Sequence, residues 1–173
     1  MEFNIIETKI KKLRDPFVLV EDGTYYMYGT GWICYKNSGD LRHWIKSEKE
    51  LVVIPSECCG DEWAKNGVTD GCFMYKTKDN QLLMLWSNFN KDGYCVAIAR
   101  SKNGKVDGEW VHDEKLLFSK ETFGQYDGGH GMIFTDVDGQ MYLSIHSPNA
   151  PVGDRMEKPV IIPVFEECGT IVI

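Results

Sequence analysis

Three side chains able to do acid–base chemistry recur at one place in a repeated pattern. Asp15 precedes the apolar run Phe17-Val18-Leu19-Val20, Asp70 precedes Cys72-Phe73-Met74-Tyr75, and His130 precedes Met132-Ile133-Phe134. A polar turn and a second apolar run follow each time: Glu21-Asp22-Gly23 then Thr24-Tyr25-Tyr26-Met27-Tyr28, Thr77-Lys78-Asp79-Asn80-Gln81 then Leu82-Leu83-Met84-Leu85-Trp86, and Asp136-Val137-Asp138-Gly139 then Gln140-Met141-Tyr142-Leu143. The repeat length is roughly 55–60 residues, that of one supersecondary unit. If the units close around an axis, the three side chains converge. Two carboxylates facing across a pocket can hydrolyse a glycosidic bond, one donating a proton to the leaving oxygen and the other activating water. A gap of about 6.5–9.5 Å leaves room for that water and gives inversion. Arg14 beside Asp15 favours the ionised base, while partial burial raises the pKa of the acid.

Further residues fit such a pocket. His146, in His146-Ser147-Pro148-Asn149, follows a strand and can reach the same face. Trp32, Trp63 and Trp86 have the flat faces that stack on sugar rings. The substrate-binding candidates are Arg14, Trp32, Trp86 and His146; His43 and His112 read as surface positions. Each has a structural alternative. An aspartate before a strand often bonds its own backbone in a turn, a histidine between glycines can be a satisfied core residue, and tryptophans in strands are more often core.

The elements that must position these residues are short strands. Pro16 pushes Asp15 out of the helical region, and Asp22-Gly23 is a strong hairpin signal. Within each unit the pattern runs in four apolar beats separated by turns; the second has beats at 72–76, 82–88, 94–100 and 110–118. Residues 56–68 and 119–128 read as loops. No apolar period of 3.6 persists, so helix content should be low. The expectation is an all-β, propeller-like single domain over 1–173, with blades at about 14–55, 69–118 and 129–173. A β-sandwich or split barrel is the alternative.

Composition narrows the partners. The 43% hydrophobic content fits a globular chain with a core. Net charge is −7, with no basic cluster, which argues against nucleic acid. No apolar stretch approaches the roughly 20 residues that span a bilayer, and the N-terminus lacks a signal-type core, so no membrane partner and a cytoplasmic location are expected. The cysteines at 34, 58, 59, 72, 95 and 168 lack C-x-x-C spacing and read as reduced, partly buried thiols.

The ordered series Arg14-Asp15-Pro16-Phe17, Thr69-Asp70-Gly71-Cys72-Phe73-Met74-Tyr75, Leu82-Leu83-Met84-Leu85-Trp86-Ser87, Gly93-Tyr94, Ile98-Ala99-Arg100-Ser101, Asp127-Gly128-Gly129-His130-Gly131-Met132-Ile133-Phe134 and His146-Ser147-Pro148-Asn149 resembles glycoside hydrolase family 43. The resemblance implies a five-bladed β-propeller of the arabinanase, α-L-arabinofuranosidase and β-xylosidase type, with a carbohydrate substrate and no organic cofactor. By position Asp15 matches the general base and Asp70 the general acid. That acid is more often Glu, and Cys72 stands where proline is usual. His130 matches a histidine near the channel axis that helps hold a calcium ion or its waters, so Ca2+ is the implied metal.

The chain departs from the family in length. Three blades are read where five are expected, and the loss falls inside the chain. The Trp-Ala-Pro-Glu-like motif is represented only by Trp63-Ala64, and the strand whose aspartate tunes the acid is absent. Asp61, Glu62 and Asp127 are candidates for that third carboxylate by charge alone. Three blades leave open edges and apolar faces, so either a homodimer forms through those edges or the chain adopts an open arrangement with a reduced catalytic site. The leading reading is a shortened glycosidase acting on arabinose- or xylose-containing glycans. The alternatives are a degenerate carbohydrate-binding fragment and a structural β-repeat module whose edges recruit a partner. An exposed aromatic cleft favours the first two, flat apolar edges the third.

Overall fold

The computed structural model describes residues 8–10, 17–21, 23–29, 33–37, 39–47, 68, 70–123, 125–136 and 138–173. These form three four-stranded antiparallel sheets, each built from consecutive strands. The fold is all-β; the only helix among the described residues is a single turn. By internal contacts the chain divides into two compact units, Met1–Val52 and Val53–Ile173.

The first unit holds one sheet, β1 (Phe17–Glu21), β2 (Thr24–Gly29), β3 (Ile33–Asn37) and β4 (Ile45–Lys46), paired in that order. Glu21 pairs with Thr24, and the connection includes Gly23 at φ 73°, a left-handed conformation that glycine adopts without a side-chain penalty. Buried Asn37 closes the turn after β3. Its amide donates to Asp40 and to the His43 carbonyl, and its oxygen accepts from the Gly39 and Leu41 N–H groups. The fourth strand was expected over 44–54; it spans Ile45–Lys46, and residues 48–54 lie outside those described.

The second unit carries two sheets. One is β5 (Asp70–Lys76), β6 (Leu82–Asn90), β7 (Gly93–Ser101) and β8 (Trp110–His112). The other is β9 (Gly129–Thr135), β10 (Met141–Ser147), β11 (Lys158–Glu167) and β12 (Thr170–Val172). Strand β10 reads Met-Tyr-Leu-Ser-Ile-His-Ser, with Met141, Leu143, Ile145 and Ser147 buried and the alternate residues partly exposed, the period of a half-buried strand. Strand β6 is instead buried continuously from Leu82 to Asn88, so both faces of its sheet are covered. The expected last strand of this sheet, 110–118, is shorter, and Phe118 returns only as an isolated bridge to Val96. The loop expected at 119–128 contains α1 (Lys120–Phe123), started by the Ser119 hydroxyl accepting from the Thr122 N–H at 3.2 Å.

One apolar layer joins the two sheets. Leu83, Leu85, Val96 and Ile98 from one pack with Ile133, Leu143, Ile145, Val164 and Ile171 from the other. Each such side chain contributes about 1.5–3 kcal/mol on burial. Gly131 lets the layers approach, because a Cβ there would meet the Leu143 Cδ1 at 2.9 Å. The opposite face of the second sheet is apolar as well but open: Met132, Phe134, Ile161 and Phe165 are 44–54% exposed, and Phe134 stacks on Tyr142 at 5.4 Å.

Two positions differ from expectation here. Trp86 does not present a face for a sugar; it is fully buried and makes an edge contact with His112 at 5.4 Å. Nor is His112 a surface residue. Burial lowers its pKa from 6.5 to about 4, opposed by the charge of Asp113. The unfolded chain therefore binds a proton near pH 6.5 that the folded chain refuses until about pH 4. Stability should be full above pH 6.5 and decline between pH 6.5 and 4, by roughly 1–2 kcal/mol once solvent screening of the partly exposed ring is allowed for. Urea midpoints measured across that window should fall for the wild type and stay flatter for His112→Phe; equal slopes would remove His112 as the cause.

Candidate active site

The site grows from two bulges that face each other. In β5 the register with β6 shifts between Asp70 and Phe73, where Gly71 takes φ 60°. In β9 the register with β10 shifts opposite Ser144 and His146, where His130 takes φ 57°. Bulges re-aim side chains, and these two bring Asp70 and His130 together. They also fit only with glycine: a Cβ on Gly71 would lie 2.7 Å from the His130 Cα, and one on Gly129 would lie 2.4 Å from the Tyr94 ring.

Asp70 is surrounded by donors. The Tyr94 hydroxyl donates to its Oδ2 at 2.8 Å, the Gly71 N–H to its Oδ1 at 2.8 Å, and the His130 Nδ1 lies 3.6 Å from Oδ2. His130 is fixed through its own backbone, whose N–H donates to the Ser87 Oγ at 2.9 Å. The carboxyl is consequently held down at about 2. The His130 ring lowers it most, burial pushes the other way, and the Tyr94 hydroxyl, the His130 charge and the Gly71 N–H lower it further. Burial first, and then the Asp70 carboxylate, push the Tyr94 hydroxyl far above its usual range. Next to Asp70, burial and the same negative charge push the Cys72 thiol up to about 12, so it is no nucleophile at neutral pH.

His146 completes the cluster. Its ring stacks on Tyr94 at 5.4 Å and 20°, stands 6.5 Å from the His130 ring, and its Nε2 hydrogen-bonds the Asn149 Oδ1 at 3.1 Å. An open groove of about 360 Å³ begins here, lined by His130, Ser144, Ile145, His146, Glu157, Lys158 and Pro159. Its lining combines two imidazoles, Ile145 and Pro159 with the polar Ser144, Glu157 and Lys158, and holds no tryptophan.

Of the residues expected at the site, the structure brings Asp70, His130 and His146 together and removes Trp86 to the interior. Arg14, Asp15 and Trp32 lie outside the described residues, as do Asp61 and Glu62. Asp127 does not serve as a third carboxylate. Its Oδ2 accepts the Tyr94 N–H at 3.0 Å and its Oδ1 the Asn149 N–H at 3.1 Å. Tyr94, which contacts Asp70 directly, carried no signal beyond a strand aromatic. A calcium ion at His130, as the family resemblance implies, would have to be held largely through waters. Calcium takes six to eight oxygens, whereas the carboxylate beside His130 is engaged by Tyr94 and Gly71, and among the described residues no group of three or more His, Cys, Asp or Glu could hold a metal.

Four-stranded antiparallel sheets stacked face to face, with a carboxylate opening the strand nearest the next sheet, are parts of a five-bladed β-propeller. The model for glycosyl hydrolases family 43 matches residues 15–165, and the chain belongs to that family. An endo-arabinase from Bacteroides thetaiotaomicron VPI-5482 is 30% identical, with a TM-score of 0.68 over 90% of this chain and 57% of that one. An endo-1,4-beta-xylanase from the same organism is 19% identical, with a TM-score of 0.65 over 91% of this chain and 57% of that one. An alpha-L-arabinofuranosidase from Lactobacillus brevis is 14% identical, with a TM-score of 0.62 over 96% of this chain and 57% of that one. The last two likenesses are of fold alone. The chain thus spans little more than half the length of these solved structures. Comparison with the curated proteins finds no match. Among the described residues no helix is long and apolar enough to cross a membrane.

Two outcomes follow from this geometry. Tyr94→Phe removes a donor from a charged acceptor, so the Asp70 carboxyl should titrate higher, by roughly one pKa unit; carbon NMR of the side chain reads this, and an unmoved titration would exclude the bond. Gly71→Ala combines a positive φ with a backbone clash and should cost about 2–4 kcal/mol. An unchanged urea midpoint would contradict the close approach.

Proposed function

We propose that the chain is an inverting glycoside hydrolase acting on arabinose- or xylose-containing glycans, with Asp70 as proton donor and Asp15 as the base that activates water. The observation that carries this reading is the Asp70 carboxylate, set at the start of β5 beside an open groove edged by His130 and His146, in a family 43 chain. The sugar class is supported by the endo-arabinase likeness at 30% identity. Asp15 enters from the family resemblance.

The electrostatics set a condition on this mechanism. In the free protein Asp70 is ionised at neutral pH, whereas a proton donor must hold its proton. A sugar that extends from the groove past His130 to Asp70 would displace water from the carboxylate and raise its pKa by desolvation. Because kcat/KM reports the free protein and kcat the complex, the alkaline limb of kcat/KM, where Asp70 loses its proton, should lie at lower pH than that of kcat. Aryl α-L-arabinofuranoside and aryl β-xyloside are the substrates to use. Asp70→Asn and Asp15→Asn should each lower turnover by about 100-fold or more, with circular dichroism unchanged.

The ionised Asp70 also favours a second reading, carbohydrate binding without turnover. Under it, calorimetry would find arabino- or xylo-oligosaccharide binding by the folded wild type, while neither aryl glycoside is cleaved at any pH. Cleavage abolished by either substitution would exclude it.

A further inference from the structure

We propose that Asp127 is a positioning residue of the site, a clamp that sets Tyr94 against Asp70 and Asn149 against His146 at the same time. The carboxylate sits between two segments that do not otherwise pair. One oxygen accepts the N–H of Tyr94 near the start of β7, and the other the N–H of Asn149 just beyond β10. Its own backbone is tied to the same two segments. The Ser147 hydroxyl donates to the Asp127 carbonyl at 2.8 Å, and the neighbouring Gly128 N–H donates to the Tyr94 carbonyl at 3.0 Å.

Both segments carry a site residue at the clamped position. Tyr94 ends in the hydroxyl that donates to Asp70, and Asn149 holds the His146 Nε2. The Tyr94 and His146 rings stack on each other, so the two clamped arms close on a shared surface. Glycines leave the space this needs. A Cβ on Gly93 would lie 2.7 Å from both the Cβ and the Oδ2 of Asp127, and a Cβ on Gly128 would lie 2.5 Å from the His146 carbonyl. A charged acceptor for two backbone N–H groups is a strong, directional tether. It fixes the backbone from which the tyrosine reaches Asp70, and it does so without touching the groove, whose lining excludes Asp127.

The inference deepens the glycosidase reading, and one of its two tests does not depend on that reading. The first test is spectroscopic. A Tyr94 hydroxyl proton bonded to a carboxylate exchanges slowly and should give a downfield proton resonance, assigned by its loss in Tyr94→Phe. It should disappear or shift in Asp127→Ala with the fold retained. Asp127→Asn, which keeps the shape but offers an oxygen to only one of the two N–H groups, should weaken it and carries the test if the alanine variant does not fold. The second test is kinetic, on the aryl arabinofuranoside. Asp127→Asn should lower kcat about tenfold with KM within twofold, and adding it to Tyr94→Phe should cost little more than Tyr94→Phe alone. A wild type without turnover would defeat the glycosidase reading and leave the spectroscopic test standing. An unchanged Tyr94 resonance in Asp127→Asn, absence of that resonance in the wild type, or fully additive kinetic losses would overturn the clamp.

Discussion

Everything at the candidate site depends on how closely β5 and β9 approach. Two sheets packed through an apolar layer ordinarily lie about 10 Å apart, too far for their backbones to touch. Here Gly71 presents no side chain where His130 passes, and Gly129 none where the Tyr94 ring lies. The bulges at those positions rotate the local backbone into left-handed conformations, rare for a residue such as His130. The packing of Leu83, Leu85, Val96 and Ile98 on Ile133, Leu143 and Ile145 stabilises this arrangement over a wide area. The local strain at His130 is thus held in place by a layer that contributes far more than it costs.

That approach decides the chemistry as well. Asp70 is half-buried, and burial alone would favour its neutral form. The donors gathered by the two bulges outweigh it, and the carboxylate stays ionised. Proton donation from a carboxylate so well satisfied requires its surroundings to change. Among the described residues Asp127, the acidic residue nearest in sequence to His130, is not free to assist Asp70, since both its oxygens are engaged by backbone N–H groups.

The blade pattern was legible because it lives in local chemistry: alternating apolar runs, turn residues and a repeat long enough for four strands. Asp70 and His130 were legible because they share a place in that repeat. Tyr94 and Asp127 were not. A tyrosine in a strand is indistinguishable in sequence from a core residue, and an aspartate before two glycines reads as a turn; only the bridge that Asp127 makes between the start of β7 and the segment after β10 gives them a role. Trp86 misled for the converse reason. Its position in β6 was read correctly, but a strand carrying apolar residues at every position is covered on both faces, and the ring has no access to solvent. The start of β9 was placed too late, at Met132, because Gly129-His130-Gly131 has low strand propensity and is extended only by its packing.

The consecutive order of strands within each sheet has a consequence for assembly. Pairings between neighbours in sequence close short loops at small entropic cost, whereas contacts between sheets close long ones. Tyr94 reaches Asp70 across 24 residues, inside one meander. The bond that seats His130 on Ser87 spans 43 and needs the second meander to dock. The tyrosine that meets the carboxylate comes from its own meander, whereas the histidine, and the Asp127 tether on Tyr94, come from beyond it, so this cluster is complete only when the two sheets are docked.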